Sequence, residues 1–187
     1  MKIVGIGAHP DDVEIFFYGF LAACKARGDD ISIGVATDGA AGGDNPGPKL
    51  AATRAEETIG ALADLASPTL LGLPDGGLVD AAGAREVIAA FLEDCKPDLV
   101  VTHAPDDYHP DHRALSHYVT DAVGFTCPIL FAETLMGVGF TPEFYVDITP
   151  FFAAKQAAIM AHDSQEPERF AAASALMNRY RAAQCNA

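Results

Sequence analysis

Short β-branched runs alternate with helix-compatible stretches along this chain, an order that restricts it to an α/β sheet wound by right-handed crossovers. Lys2 to His9 (KIVGIGAH) is the first such run, and Pro10 stops it. From Asp12 through Arg27 the spacing predicts a helix, with acidic residues in its first turn, Lys25 and Arg27 in its last, and Gly28 just beyond. The pattern recurs: Ile31 to Thr37 as strand, a Gly/Pro-rich loop from Gly39 to Pro48, and a helix through Ala66. Thr69 to Leu73 makes a third strand and Asp75-Gly76-Gly77 a turn, followed by a helix near Ala84 to Cys95. Asp98 to His103 is a fourth strand, closed off by Pro105. Beyond Asp111 come a helix to about Val123, strand-like segments at Ile129 to Thr134 and Phe144 to Ile148, and two Ala-rich helices.

The expected architecture is a Rossmann-like three-layer sandwich with a mostly parallel central sheet. A chain of 187 residues without an internal linker fits one domain over 1–187. In this order strand one lies beside strand four, and the crevice outside their carboxyl ends is where such sheets bind ligands. His9 ends strand one, and the loop from Ala104 to His112 follows strand four, so two polar clusters meet at one switch point. The first is His9-Pro10-Asp11-Asp12-Val13-Glu14 and the second is His109-Pro110-Asp111-His112.

His9 and Asp12, three residues apart, converge on one ion if the chain turns there, and His112 supplies a third ligand. Three N/O ligands with an open fourth position describe a catalytic Zn²⁺ site rather than a structural one, although another divalent metal is open. Asp11 is then placed to take a proton from water, and His109 to stabilise an oxyanion and protonate a leaving amine. Asp111 is expected to hold the His109 imidazole in its useful tautomer. Each cluster alone also reads as a capped loop, because Asp is a good N-cap and Pro is favoured just inside a helix. Glu14 reads as a first-turn dipole residue or a partner behind the ligands rather than a ligand, His103 as either a core group or a site residue, and His162 as either a site residue or ordinary helix-end chemistry. Gly5-x-Gly7 lacks the third glycine of a dinucleotide fingerprint, so close strand packing explains it.

The formal net charge of −14 disfavours phosphate backbones and anionic lipid, so nucleic acid is not an expected partner. Cys24, Cys95, Cys127 and Cys185 form no C-x-x-C pair or disulfide ladder, and no apolar stretch suits export or membrane insertion. A cytoplasmic location follows as the expectation. A homo-oligomer is left open, with Phe125 and Phe140 as apolar candidates for a subunit contact or the cleft.

The pairing of AHPDDVE near the N-terminus with HPDH about a hundred residues later resembles the PIG-L/LmbE family of zinc-dependent N-deacetylases. Thr37-Asp38-Gly39, Arg54-x-x-Glu57, Leu73-Pro74-Asp75-Gly76 and His162-x-Ser164-Gln165 extend the resemblance over most of the chain. It implies hydrolysis of an N-acyl, usually N-acetyl, group on an amino sugar or related small molecule. It also implies His9, Asp12 and His112 as ligands, Asp11 as base, His109 as electrophile, and Arg54 and Asp75 as substrate contacts. The chain departs from the pattern at Phe16, Phe17 and Tyr18-Gly19, where members carry Gly-Gly, and this implies a bulkier, more apolar wall. Asp107 holds the place where some members have tyrosine, so Tyr108 takes no catalytic role. Members usually continue beyond the position of Ala187 into an acidic-aromatic segment, which implies either a shortened tail or a more open cleft here.

Three other classes fit parts of the pattern. Two histidines and a carboxylate also make the facial triad of a non-haem Fe(II) oxygenase, though those enzymes are usually β-barrels. A non-catalytic metal or sugar-binding module would keep the fold without the chemistry. A phosphoesterase would need an anionic substrate on an acidic chain.

Overall fold

The computed structural model describes residues 1–135, 137 and 139–185, so Ala187 and the expectation attached to it lie outside the described residues. The chain forms β1 (Lys2–Gly7), α1 (Tyr18–Ala26), β2 (Asp30–Thr37), α2 (Pro48–Ala61), β3 (Pro68–Leu73) and α3 (Ala84–Cys95). It continues through β4 (Leu99–His103), α4 (Pro110–Val123), β5 (Ile129–Ala132), α5 (Phe152–Met160) and α6 (Pro167–Gln184). The five strands lie in the order β3-β2-β1-β4-β5, and every pairing is parallel. Strand one does stand beside strand four, with Ile3 opposite Leu99 and Gly5 opposite Val101.

Strand alternation builds two cores, one on each face of the sheet. Ile3, Ile33 and Val101 pack with Leu21, Leu62 and Ala158 on the face covered by α1, α2 and α5. Val4, Ile6 and Val100 pack with Ile88, Phe91, Leu115 and Val119 on the face covered by α3 and α4. The helices come close because glycines receive them. A Cβ on Gly5 would stand 2.8 Å from a Leu21 methyl, and one on Gly34 would stand 2.7 Å from the Phe91 ring.

The first helix differs from its expected form. Val13–Phe17 is a π-helical turn, and only from Tyr18 does the chain settle into α-helix. Val13, Glu14, Ile15 and Phe17 are all buried in that one turn, because β1, α1, α5 and α6 all pack against it. A regular amphipathic helix would leave part of such a run in solvent. The second helix ends at Ala61 rather than Ala66, since the chain tightens into successive turns that bury Leu62 and Leu65. Phe144 to Ile148 is not a strand. Its β-branched and aromatic composition suits one, but no sheet edge meets it, and Phe144, Tyr145 and Val146 remain exposed while Ile148 packs over Gly19. Among the described residues no helix is long and apolar enough to cross a membrane.

Candidate metal centre

The switch point gathers four histidines and five aspartates around a cleft of about 450 Å³. Past the end of β1 the chain reverses through His9 and Pro10, with the Asp12 amide donating to the His9 carbonyl at 3.2 Å. Gly7 makes the reversal possible, because a Cβ there would stand 2.9 Å from the Cβ of Asp12. The fold-back brings Asp12 Oδ2 to 2.7 Å from the His9 amide, which donates to it. Across the switch point, α4 starts at Pro110 with His109 as its N-cap and His112 in its first turn.

Asp12 Oδ2 lies 3.2 Å from His9 Nδ1 and 3.3 Å from His112 Nε2, and those two nitrogens are 3.3 Å apart. Atoms that share a tetrahedral ion at about 2.0–2.1 Å stand about 3.3 Å from one another. The three donors therefore have the spacing, and the two-imidazole, one-carboxylate chemistry, that a divalent ion such as zinc takes. Overlapping groupings exist: His9 with His109 and His112, Asp12 with His103 and His112, and His9 with Asp75 and Asp111.

The carboxylates behind the two imidazoles orient them. His112 Nδ1 is 2.8 Å from Asp107 Oδ2, so Asp107 takes the Nδ1 proton and Nε2 is the nitrogen turned toward Asp12 and His9. His9 Nε2 lies 3.3 Å from Asp75 Oδ1 and 3.4 Å from Asp111 Oδ2, which leaves Nδ1 as the free nitrogen. Each imidazole of the triangle thus has a carboxylate on its far side, the arrangement that orients histidines bound to metals. His103 backs the group. It accepts from the Ala8 amide at 3.0 Å, its Nε2 is 3.1 Å from Asp12 Oδ2, and its ring stacks on His112 at 3.7 Å. Burial pushes the His103 imidazole down to about 4, so it stays neutral. Burial also opposes charge on His112, but Asp12 and Asp107 outweigh it and raise its pKa to about 9. Asp12 is held well below the usual carboxylate range despite its burial, by His112 and His103.

Asp11 sits beside the triangle with φ 118°, one of two described non-glycine residues with positive φ. Burial raises its pKa to about 6, with Arg54 working against the rise and Asp12 adding to it. Arg54 is 3% exposed and donates to Asp11 Oδ2 at 3.1 Å. Asp75 accepts from the Ala41 amide at 2.9 Å as well as facing His9. His109 lines the cleft with its ring 4.6 Å from that of His9. Burial, and then the His9 and His112 rings, hold its pKa below the usual histidine value.

The expected pairing of the Asp111 carboxylate with His109 does not form. It is the Asp111 backbone amide that donates to His109 Nδ1, at 3.2 Å. The carboxylate instead accepts from the Gly76 amide at 2.7 Å and the Leu78 amide at 3.0 Å, and reaches His9. In the first turn of α4 those loop amides and the carboxylate meet directly, while the amide is one of the helix donors that needs a cap. The consequence for His109 is the same tautomer, with its proton on Nε2.

Asp107 is the residue that the sequence reading left without a role. It lies five positions before His112, and its Oδ1 also accepts from the His109 amide at 2.9 Å, so one carboxylate braces both histidines. An Asp-Asp pair ahead of HPDH was the available signal. Asp107→Ala is expected to weaken metal binding by about 10–100-fold, the usual effect of removing a carboxylate behind a ligating histidine. Competition with a chromophoric chelator measures this, and an unchanged affinity removes Asp107 from the centre.

The cleft has an apolar wall of Ile15, Phe16, Leu135 and Phe170 facing Ala41, Gly42, Arg54, Asp75 and Gly76. A second cavity, of about 540 Å³, lies between Glu133, the segment around Phe140 to Tyr145, and α6. Its Arg181 and Glu133 are paired with each other, and no histidine lines it.

Known proteins share this arrangement of chain. The diacetylchitobiose deacetylase of Thermococcus kodakarensis is 29% identical over 195 residues, covering 89% of this chain and 71% of that protein. The conserved protein TT1542 from Thermus thermophilus superposes with a TM-score of 0.86 at 29% identity, over 99% of this chain and 90% of that one. The 4-carboxy-2-hydroxymuconate hydratase GalB from Pseudomonas putida also reaches 0.86, at 21% identity over 99% and 88% of the two chains, and this likeness speaks for the fold alone. The model of the family described as PIG-L, GlcNAc-PI de-N-acetylase, matches residues 4–123, which run from β1 to the end of α4 and include every histidine and aspartate of the centre. The chain therefore belongs to the PIG-L family.

Proposed function

We propose that this protein is a zinc-dependent amidohydrolase that removes an N-acyl group, in the first instance N-acetyl, from an amino sugar or a related small molecule. The observation that carries the reading is the triangle of His9 Nδ1, Asp12 Oδ2 and His112 Nε2 at 3.2–3.3 Å, opening on a cleft that also holds Asp11 and His109. The deacetylase activity of a relative aligned over 89% of the chain supports the same reaction.

When bound to His9, Asp12 and His112, zinc supplies Lewis acidity, polarising the amide carbonyl and lowering the proton affinity of a water beside it. Asp11 accepts the proton of the attacking water as the carbon–oxygen bond forms. His109, neutral and protonated at Nε2 because Nδ1 accepts from the Asp111 amide, donates a hydrogen bond to the developing oxyanion. The proton held on Asp11 passes to the nitrogen as the carbon–nitrogen bond breaks, and the products are a carboxylate and an amine. Asp75 and Arg54 line the polar side of the cleft, where Asp75 offers sugar hydroxyls a carboxylate. The apolar wall excludes water from the reacting centre.

The all-parallel sheet gives the oxygenase reading no support, and a hydrolytic centre with both a base and an electrophile is more than a binding module needs. The four cysteines are free thiols, which suits the cytoplasm, and we assign the protein to that compartment. Zinc-reconstituted protein incubated with a panel of N-acetylated amino sugars is expected to release a primary amine. Chelation should abolish the release and added Zn²⁺ restore it. Turnover indifferent to chelation, or no amine from the panel, overturns the assignment.

A further inference from the structure

We infer that Arg54 is a positioning residue for Asp11, a buried clamp that fixes the base and its unusual backbone, and that it affects rate through Asp11 rather than by gripping the substrate. This rests on the reading of Asp11 as the base.

The guanidinium is buried and both of its terminal nitrogens are engaged. Nη2 donates both to the Pro10 carbonyl and to Asp11 Oδ2, and Nη1 donates to the Gly39 carbonyl at 3.1 Å. The Pro10 carbonyl belongs to the peptide bond that precedes Asp11, so one nitrogen holds the strained residue at both its backbone and its carboxylate. A φ of 118° is disfavoured for an aspartate, and such conformations persist where the surroundings over-determine them. The Gly39–Gly42 segment covers the other side. A Cβ on Gly42 would stand 2.6 Å from Nη1 and 3.1 Å from Gln165 Oε1, and one on Gly39 would stand 3.0 Å from Nη1 and 2.9 Å from the Pro10 ring. Two glycines at that loop let the backbone lie flush on the guanidinium. A lysine at 54 would carry the charge but not the fork that reaches three acceptors at once.

The arrangement also accounts for part of the Arg54-x-x-Glu57 and His162-x-Ser164-Gln165 pattern. Glu57, one turn along α2 from Arg54, accepts from the Ser164 amide at 2.7 Å and hydroxyl at 2.6 Å. That contact sets Gln165 against the glycine loop that closes over Arg54. The two motifs, far apart in sequence, meet around one guanidinium.

A double-mutant cycle tests the inference. Arg54→Gln is expected to lower kcat by about 100-fold, the loss that a misplacement of about 1 Å produces, with KM changed by less than about threefold. If Arg54 works through Asp11, then Asp11→Asn combined with Arg54→Gln is no slower than Asp11→Asn alone, within about threefold. Losses that multiply, or a KM that rises with kcat kept, assign Arg54 to the substrate and overturn the proposal. Should Arg54→Gln fold poorly, Gly42→Ala, which displaces Nη1 and leaves the charge, carries the same cycle. A crystal structure of whichever variant folds needs no substrate. Asp11 relaxed from its positive φ, or its carboxylate turned away, is the expected result, and an unmoved Asp11 overturns the inference. An inactive wild type would defeat the proposed function, while the crystal structure would still decide the role of Arg54.

Discussion

Asp11→Asn is expected to lower kcat by about 10²–10⁴-fold, the range that a positioned general base contributes, while the protein keeps its metal. The substitution is nearly isosteric, and asparagine tolerates positive φ better than most residues, so the backbone at φ 118° is retained. What is removed is a carboxylate able to take a proton. Asp11 does not belong to the 3.2–3.3 Å triangle, so the ion should stay, and metal analysis beside kcat separates the two effects. A variant that loses metal and rate together would make Asp11 a ligand. One that retains near-normal kcat would move the base elsewhere in the cleft.

The adjacent substitution should behave differently. Asp12→Ala is expected to leave the chain with little bound metal and no turnover above background. Asp12 Oδ2 is the common vertex of the centre: it accepts from the His9 amide at 2.7 Å, and lies within 3.3 Å of His9 Nδ1, His103 Nε2 and His112 Nε2. With the carboxylate gone, the metal-free protein also loses the acceptor for a buried amide. That costs on the order of 1–3 kcal/mol, visible as a lower melting temperature than the chelated wild type. Metal stoichiometry by elemental analysis and a melting curve in chelator check both parts. Full metal content in this variant would shift the ligand set to one of the groupings that lack Asp12, His9 with His109 and His112 or His9 with Asp75 and Asp111.

The meeting of His9 and Asp12 was readable because the spacing His-x-x-Asp has a geometric meaning, and that of His9 and His112 because the strand–helix order puts β1 beside β4. The sheet order followed from the strand–helix alternation and was found as expected. Less was readable wherever a contact crosses between segments. Asp107 sits in a loop whose shape no periodicity describes, and its bond to His112 exists because the chain doubles back over five residues. The Asp111 amide rather than its carboxylate meets His109, because residue spacing places a residue near a histidine but does not choose which of its atoms faces it. Phe144 to Ile148 has strand composition, yet a strand also requires a free edge, which is a property of the whole sheet. The burial of Arg54 against Pro10 and Gly39 depends on a glycine loop that reads only as a turn.

The π-helical turn at Val13–Phe17 has a consequence for how this protein can change. Each residue inserted into or deleted from a helix rotates everything after it by about 100°. In this turn that rotation would swing Phe16 out of the cleft and Glu14 away from His162, and would turn α1 against the sheet. Side chains on the cleft wall can be exchanged one at a time, so specificity is open to drift by substitution. Chain length between Asp12 and Tyr18 is not, and variants that gain or lose a residue there should be absent from any selected library that retains activity.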